Sequence, residues 1–356
     1  MPLSSKICLV ILDGWGIGRE DFSNAIYQAK TPFIKEIKKF YPSTTLQASG
    51  IAVGLPFNEA GNSEVGHLTL GTGQIIYQYS VRISQAINNK TFFQNPALVE
   101  TCRYVKEKNS SLHLIGLLSE ALVHSSYEHL LALIDLALQW NIKKINLHLF
   151  TDGRDSPPTA AKNLLRKLYL DLENRPNAKI ASLSGRFYGM DRDKNYNRTQ
   201  KVYDLIIFGK GKIATNPIDY LDNSYKENIT DEFIIPAIIN PSNEDISSKL
   251  IKEEDGIIFF NFREERMRQL VEVFVDPYFN QFEVKRFERL KISTMTQYRK
   301  DFNVLVAFPP QKISTCLAKV LSENQKRQLH LAESEKYAHV TYFFDGLKEE
   351  PYPGEY

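Results

Sequence analysis

The chain has 356 residues, of which 43% are hydrophobic and 24% are charged, and its formal net charge is +2 at pH 7. This length favours two domains, and the composition is typical of globular proteins. The small net charge argues against nucleic acid or a membrane surface as a partner. Cys8, Cys102 and Cys316 are few and far apart, which fits a reducing compartment better than a disulfide framework.

No apolar run reaches the length of a membrane-spanning helix, and the first run, residues 7–12, is too short for a signal peptide. The chain is rich in Ile, Asn, Lys, Phe and Tyr, a bias that often accompanies an AT-rich genome. We therefore expect a cytoplasmic protein, or one of the plastid stroma if an organelle encodes it.

The amino-terminal segment predicts a buried strand followed by a sharp turn. Residues 6–12 form a continuous apolar run with β-branched side chains, which is typical of a strand buried on both faces. Asp13-Gly14-Trp15-Gly16 follows, so Asp13 would lie at the carboxyl end of this strand, where α/β folds place their ligands. A carboxylate before glycine is also a common turn residue, and both interpretations stay open. Residues 31–40 then predict a helix.

The segment Gly61-Asn62-Ser63-Glu64-Val65-Gly66-His67 places a serine between an amide and a carboxylate, with glycines on both sides. The apolar spacing that follows predicts a helix or turn that begins near Ser63. The free N–H groups and partial positive charge of a helix start can hold an anion. Ser63 could attack a phosphate there if a divalent metal, shared with Asp13, favoured its alkoxide. Taken alone, Ser63 could instead be a simple N-cap.

Strands and helices alternate through the middle of the chain, which predicts a parallel sheet with helices on both faces. The predicted strands are 111–117, 145–150, 179–183 and 256–260, and the predicted helices are 127–139, 160–173, 197–208 and one through Met267, Leu270, Val271 and Phe274. Pro309 and Pro310 indicate a connector. After it, residues 313–323 predict a helix and residues 337–344 a further buried strand.

Four of the predicted strands, 6–12, 145–150, 179–183 and 256–260, end in short loops that carry Arg, Asp or His. The arginines at or just after strand ends are Arg154, Arg186, Arg192, Arg263, Arg266 and Arg268. Each alone could be a solvated surface charge, but several at one sheet edge imply a ligand with at least two anionic groups. His124 with Asp155 could position or exchange a proton with a hydroxyl. Lys336 could meet a phosphate as a point charge.

Six motifs, in order along nearly the whole chain, together resemble the cofactor-independent phosphoglycerate mutases. They are Leu12-Asp13-Gly14-Trp15-Gly16, Gly61-Asn62-Ser63-Glu64-Val65-Gly66-His67, Asp152-Gly153-Arg154-Asp155-Ser156-Pro157-Pro158, Ser184-Gly185-Arg186-Phe187-Tyr188-Gly189-Met190-Asp191-Arg192-Asp193, Phe260-Asn261-Phe262-Arg263 through Arg266, and Ala332-Glu333-Ser334-Glu335-Lys336-Tyr337-Ala338-His339-Val340-Thr341.

The resemblance implies an α/β protein in which an alkaline-phosphatase-like domain carries an inserted second α/β domain. The phosphatase-like metal and nucleophile domain would comprise residues 1–77 and 312–356, and the substrate-binding domain residues 78–311. Hinges are expected around residues 78–82 and 308–312, about a closed, dry cleft. The implied reaction is the interconversion of 3-phosphoglycerate and 2-phosphoglycerate in glycolysis, through a phosphoserine and with two Mn²⁺ ions. We expect a monomer whose partner is this small substrate, with neither nucleic acid nor membrane.

The resemblance also assigns roles to single residues. Ser63 is implied as the nucleophile and as a metal ligand, Asp13 as a ligand of the same metal, and Lys336 as a contact of the phosphoryl group. The glycerate would be held by His124, Arg154, Asp155, Arg186, Arg192, Arg263 and Arg266.

Two departures from the family pattern stand out. The family has paired glycines before the histidine of its Val-His-Ser motif, where this chain has Glu120-Ala121-Leu122-Val123-His124-Ser125. The family also continues past its Pro-Gly-Glu motif into a segment that supplies most metal ligands. We therefore expect residues 1–356 to be a carboxyl-terminally incomplete form, inactive alone. The alternatives are an inactive remnant that binds phosphorylated acids and a related metal-dependent phosphatase.

Overall fold

An eight-stranded sheet lies in the larger of two compact units into which the chain divides. The computed structural model describes residues 6–241 and 245–356. The larger unit is Tyr79–Pro310, and the smaller unit joins Met1–Gln78 with Gln311–Tyr356. The strands are β1 (Leu112–Leu118), β2 (Ile145–Thr151), β3 (Ala178–Gly185), β4 (Lys212–Ala214), β5 (Ala237–Ile239), β6 (Gly256–Phe259), β7 (Lys291–Thr296) and β8 (Leu305–Phe308).

The helices are divided between the two units. They are α1 (Ala25–Gln28), α2 (Pro32–Phe40), α3 (Ser63–Thr72), α4 (Tyr79–Asn88), α5 (Pro96–Lys108), α6 (Tyr127–Gln139), α7 (Ala161–Glu173), α8 (Arg186–Gly189), α9 (Tyr196–Phe208), α10 (Pro217–Lys226), α11 (Arg268–Val275) and α12 (Leu317–Glu323). In the part of the chain that the structure describes, none is long and apolar enough to cross a membrane.

The sheet has the strand order β4-β5-β3-β2-β1-β6-β7-β8, and its only antiparallel pair within the described residues is β3 with β5. The four strands expected from continuous apolar runs are β1, β2, β3 and β6, so the α/β prediction is confirmed. The sequence pattern missed β4 and β5, which have three residues each, and also β7 and β8. The three-residue strands β4 and β5 leave too little periodicity to detect.

The register of the three longest strands aligns their carboxyl ends. All seven residues of β1 and all seven of β2 are buried, as expected of parallel strands covered on both faces. Leu118 pairs with Thr151, and Thr151 pairs with Gly185. The loops after these three strands therefore leave the sheet side by side, and every side chain at their start is brought to one edge.

A row of hydrogen bonds satisfies polar side chains buried within this sheet. His113 Nε2 lies 3.2 Å from Asp255 Oδ2, His113 Nδ1 lies 2.9 Å from His148 Nε2, and His148 Nδ1 lies 2.8 Å from Ser182 Oγ. Burial, followed by the neighbouring His113, holds the pKa of His148 well below its ordinary value. Buried polar groups need such partners, because an unpaired one costs about 1–3 kcal/mol.

The smaller unit contradicts two sequence-based predictions. Residues 6–12 have no regular secondary structure and are largely exposed, with Ile7 at 94% and Val10 at 69%. Residues 337–344 are not a strand either, because a short 3₁₀ turn at Ser334–Lys336 leads into a π-helical turn at His339–Phe343. Both segments have the apolar composition of strands, so the reason lies in their surroundings.

A strand needs a neighbour to bond its backbone N–H and C=O groups. Every named strand of the described residues lies in the larger unit, so these two apolar runs have no ladder to join. A helical turn satisfies part of the backbone locally, as the bond from Asp345 N to Thr341 O at 2.7 Å shows. The predicted helix over 313–323 is present only as α12, from Leu317.

Close packing in the smaller unit requires a glycine at one position of α3. A Cβ built on Gly71 would lie 1.9 Å from the carbonyl oxygen of Phe344, which is backbone and cannot move aside. Gly66 lies on the same helix, and a Cβ there would meet nothing within 4 Å. The two glycines therefore form a matched pair for testing this contact.

We predict that Gly71→Ala lowers the free energy of unfolding by about 2 kcal/mol or more, through overpacking. Gly66→Ala should instead raise it by about 0.5–1 kcal/mol, because alanine is the better helix former. Thermal and urea unfolding of the two variants would measure both effects. Equal stability of the two variants would contradict the packing described here.

Candidate active site

The start of α3 is built by the residues Gly61-Asn62-Ser63. Gly61 allows a close approach, because a Cβ there would lie 1.8 Å from the carbonyl oxygen of Ala48. Asn62 is the N-cap, and its side chain accepts a hydrogen bond of 3.1 Å from the backbone N–H of Val65. Capping is thus performed by Asn62, which leaves the Ser63 hydroxyl free for other contacts.

Ser63, Asp13 and Lys336 form a triangle of hydrogen bonds. Ser63 Oγ donates to Asp13 Oδ2 over 2.5 Å. Lys336 Nζ lies 2.5 Å from Asp13 Oδ2 and 2.6 Å from Ser63 Oγ. These residues come from three distant segments of the smaller unit, and the structure brings together all of the residues predicted for the nucleophile site.

Charge in this triangle favours an ionised carboxylate beside the serine. The hydrogen bond from Lys336, followed by that from Ser63, holds the pKa of the Asp13 carboxyl below its ordinary value. The Asp13 and Lys336 side chains are 30% and 28% exposed, so a ligand can reach them. A carboxylate that accepts the hydroxyl hydrogen of Ser63 makes Oγ more nucleophilic.

The same two oxygens fit part of a divalent metal site. Asp13 Oδ2 and Ser63 Oγ are hard donors of the kind that Mn²⁺ accepts, and the ammonium of Lys336 on both of them shows that the pair attracts positive charge. Two donors fill only part of a shell of about six.

A second group of charged residues lies at the sheet edge of the larger unit, around the guanidinium of Arg186. This residue follows β3 directly and is only 3% exposed. Its Nη1 lies 2.6 Å from Asp152 Oδ1 and 2.5 Å from Asp155 Oδ2, both in the loop after β2. Burial alone would raise the pKa of Asp152, but the hydrogen bonds from Ser119, from the Asp155 N–H and from Arg186 outweigh it and lower that pKa.

His124, in the loop after β1, faces the carboxylate of Asp155. Its Nε2 lies 3.6 Å from Asp155 Oδ2, whereas its buried Nδ1 has no hydrogen-bond partner. Its carbonyl oxygen accepts a 2.8 Å hydrogen bond from Phe262 N, which fixes the loop against the segment after β6. Burial, followed by the charge of Arg186, lowers the pKa of His124 to about 4, so the imidazole is neutral at pH 7.

The loop that leads to His124 carries a local strain. Leu122 has a φ of 57°, in the left-handed region that favours glycine. For a residue with a Cβ, this conformation costs roughly 1–2 kcal/mol. The departure from the paired glycines of the family therefore has a structural counterpart, and the backbone keeps the glycine-like conformation despite the larger side chain.

Three of the predicted arginines reach glutamates at the edge of the group. Arg154 Nη1 lies 3.1 Å from Glu232 Oε1. Arg192 and Arg263 share Glu265, at 2.8 Å and 3.3 Å. The three arginine side chains are 44–58% exposed, so each ion pair contributes little to stability. A ligand can therefore displace the glutamate from each arginine.

Arg266 forms no ion pair in the described part of the chain, and its Nη1 donates only a long bond of 3.4 Å to the carbonyl oxygen of Met190. Burial lowers the pKa of Arg266, and so, to a smaller extent, do the positive charges of Arg186, Arg192 and Arg154. The group therefore has an excess of positive charge that an anion would neutralise. Arg268 points elsewhere, since its Nε donates to Tyr298 O over 2.8 Å.

Sequence reasoning missed the carboxylates that organise these arginines. Asp152 was quoted in a motif but not proposed as a site residue, and Glu232 and Glu265 were not considered. The position of Asp152 directly after β2, as the first carboxylate of a strand-end loop, was the available signal. Nothing in the local sequence of Glu232 indicates its pairing with Arg154, because 78 residues separate the two.

The two sites thus define a class of protein: an α/β protein with a serine set between a carboxylate and an ammonium, and an arginine group suited to a small anion. The family model described as "BPG-independent PGAM N-terminus (iPGM_N)" matches residues 83–300. The 2,3-bisphosphoglycerate-independent phosphoglycerate mutase of Thermomicrobium roseum is 46% identical over 357 aligned residues, which cover 100% of this chain and 68% of that protein.

The enzyme of the same name from Trichodesmium erythraeum is also 46% identical and is covered to 65% of its length. Among solved structures, a Leishmania mexicana phosphoglycerate mutase studied at low cobalt concentration matches 97% of this chain and 65% of its own, with a TM-score of 0.67 and 28% identity. The chain belongs to the 2,3-bisphosphoglycerate-independent phosphoglycerate mutase family. It spans about two thirds of the length of these relatives.

The shifted pKa of His124 predicts a pH dependence. A histidine in the unfolded chain takes up its proton near pH 6.5, whereas His124 in the folded chain does so near pH 4. Between these values the unfolded chain binds more protons, so the free energy of unfolding falls as the pH is lowered. The share of His124 in this loss should reach about 3 kcal/mol at most.

NMR titration of the imidazole should give a midpoint near pH 4 for His124. His124→Gln identifies the resonance and should remove this share of the pH dependence of unfolding. A midpoint near pH 6.5 would show that the side chain is not buried among arginines as described.

Proposed function

We propose that the full-length protein interconverts 3-phosphoglycerate and 2-phosphoglycerate through a phosphoserine at Ser63. The observation that carries this proposal is the triangle of Ser63, Asp13 and Lys336, at 2.5–2.6 Å. The named relatives, which are mutases, support the substrate. A serine hydroxyl beside a carboxylate and an ammonium suits phosphoryl transfer, which requires an activated nucleophile and cations around the phosphoryl oxygens.

Each residue of the triangle takes part in the transfer. Asp13 accepts the hydrogen of the Ser63 hydroxyl, and Oγ attacks phosphorus. The bond between phosphorus and the substrate oxygen breaks, and the released oxygen takes up one proton. The other hydroxyl of the retained glycerate then attacks the phosphoserine and gives up one proton, and Ser63 Oγ regains its hydrogen from Asp13, so bonds and protons balance over the cycle. Lys336 offsets the negative charge of the phosphoryl group. When present, the divalent metal ions of the reaction, two Mn²⁺ in our proposal, would favour the alkoxide of Ser63, with Asp13 and Ser63 among the ligands.

In this proposal the arginine group of the larger unit retains the glycerate. Arg154, Arg192, Arg263 and Arg266 offer guanidinium groups to its carboxylate, since planar donors match that group. Arg186 also belongs to this group in the proposal, and Asp152 and Asp155 hold its Nη1 in place. Asp155 and the neutral His124 are the groups that can exchange a proton with a substrate hydroxyl.

Replacement of the nucleophile provides the direct test. With substrate carrying ³²P, the full-length protein should yield phosphoserine at Ser63, and Ser63→Ala should yield none. Ser314→Ala, an exposed serine of the same unit, is the matched control and should be labelled like the parent protein. Labelled ester in Ser63→Ala would refute the assignment.

The fate of the phosphoryl group separates this function from the two alternatives. In water enriched in ¹⁸O, a mutase places no solvent oxygen in its product, whereas a phosphatase releases phosphate that contains it. A protein that binds phosphoglycerate but never forms the ester would be the inactive remnant.

Removal of one arginine should weaken binding of phosphoglycerate. Arg266→Ala should raise the Kd about 10- to 100-fold, because a charge-assisted hydrogen bond is worth about 1.5–3 kcal/mol. Arg166→Ala changes an arginine of α7 whose Nη1 donates a hydrogen bond to Asn163 Oδ1, and it should leave the Kd unchanged. Isothermal titration calorimetry measures both. Equal loss in the two variants would show that net charge, and not this group, binds the ligand.

A further inference from the structure

A second cluster of ligand-type side chains, separate from Ser63 and Asp13 in sequence and in contacts, lies in the smaller unit. His330, Asp345 and Glu355 each direct one potential ligand atom into it, and these atoms all lie within 4.8 Å of one another. His330 Nδ1 is 3.6 Å from Glu355 Oε1.

The backbone holds the three residues in place. The segment 328–330 pairs with the segment 354–356, through hydrogen bonds from Gln328 N to Gly354 O at 2.9 Å and from His330 N to Tyr356 O at 2.9 Å. Asp345 follows the π-helical turn and is anchored by its N–H to Thr341 O. Gly354 and Gly346 adopt φ values of 86° and 74°, which place the turns beside Glu355 and Asp345.

Two atoms of this cluster lack the partners that buried polar atoms normally have. Asp345 is 3% exposed, and its Oδ1 has no hydrogen-bond partner. His330 Nδ1 is likewise buried without one. The side chains of His330 and Glu355 are 11% and 3% exposed. Glu355 Oε2 accepts the N–H of Tyr352 at 2.9 Å, which leaves Oε1 facing the cluster.

Two buried carboxyl groups this close repel each other when both are ionised. Burial, and then Glu355, raises the pKa of Asp345 to about 7, and Lys348 opposes this only in part. The cluster can relieve the repulsion by keeping a proton or by binding a cation. A shared proton would leave the Nδ1 atom of His330 without a role, whereas a metal ion uses all three donors.

We propose that His330 Nδ1, Asp345 and Glu355 bind one divalent transition-metal ion of the Zn²⁺ type. One imidazole and two carboxylates are donors that Zn²⁺ accepts, and three protein ligands leave a fourth position for water. None of the three residues belongs to the Ser63 triangle, so this site is independent of the proposed mutase activity.

Metal content after dialysis against Zn²⁺ tests the proposal on residues 1–356. The parent chain should retain about one more Zn²⁺ per chain than Asp345→Asn or His330→Gln, as a site with all three ligands requires. Asp13→Asn is the control for the other metal position and should retain the additional ion. Equal Zn²⁺ in the parent chain and in Asp345→Asn would overturn the proposal.

Two further measurements distinguish loss of a metal ligand from misfolding of the variant. Asp345→Asn keeps the shape of the side chain and removes a buried charge, so without metal it should melt no lower than the parent chain. Zn²⁺ should raise the Tm of the parent chain and of Asp13→Asn, but not that of Asp345→Asn. Co²⁺ should give the parent chain the visible absorption of a four-coordinate ion, and His330→Gln should lack this absorption. Unchanged Co²⁺ spectra in His330→Gln would also contradict the site.

Discussion

The aligned register of three parallel strands is the constraint on which the larger unit depends. Because Leu118, Thr151 and Gly185 are paired neighbours, the loops that follow bring His124, Asp155 and Arg186 to one edge. That edge collects positive charge, which would be unfavourable if it were unpaired. Asp152 and Asp155 neutralise the innermost guanidinium, while the outer ones keep partners that are weak enough to be replaced. The inner guanidinium is therefore held by buried aspartates, whereas the outer ones are paired with glutamates that a ligand can displace.

The sequence predicts the long buried strands well, because a continuous apolar run is stable as a buried strand when adjacent strands can pair with it. Residues 6–12 are more apolar than residues 111–117, yet only the latter run is a strand, β1, which pairs with β2 and β6. The local pattern shows which conformations a segment can adopt, and the available strand neighbours decide whether it becomes a strand. The same limit explains 337–344, whose apolar residues form a π-helical turn against α3.

The candidate sites were predictable where the residue type carries the chemistry. Ser63, Asp13 and Lys336 could be proposed from motifs, although their contacts at 2.5–2.6 Å join positions up to 323 residues apart. The carboxylates that position arginines were harder to foresee, since Asp152 and Glu265 are ordinary loop residues until the fold brings them to a guanidinium. His330, Asp345 and Glu355 share no motif that predicts a site, because spacing alone does not indicate that three side chains will converge.

The buried row from Asp255 through His113 and His148 to Ser182 has a property of its own. When His113 is neutral, it gives its Nε2 hydrogen to Asp255, accepts from His148, and leaves the hydroxyl of Ser182 to donate. A proton added to His113 would reverse both later bonds, because His148 would then have to accept at Nε2 and donate from Nδ1. Both arrangements satisfy every atom in the row. The tautomer of one imidazole in the middle strand is thus dictated by the charge of another, one strand away.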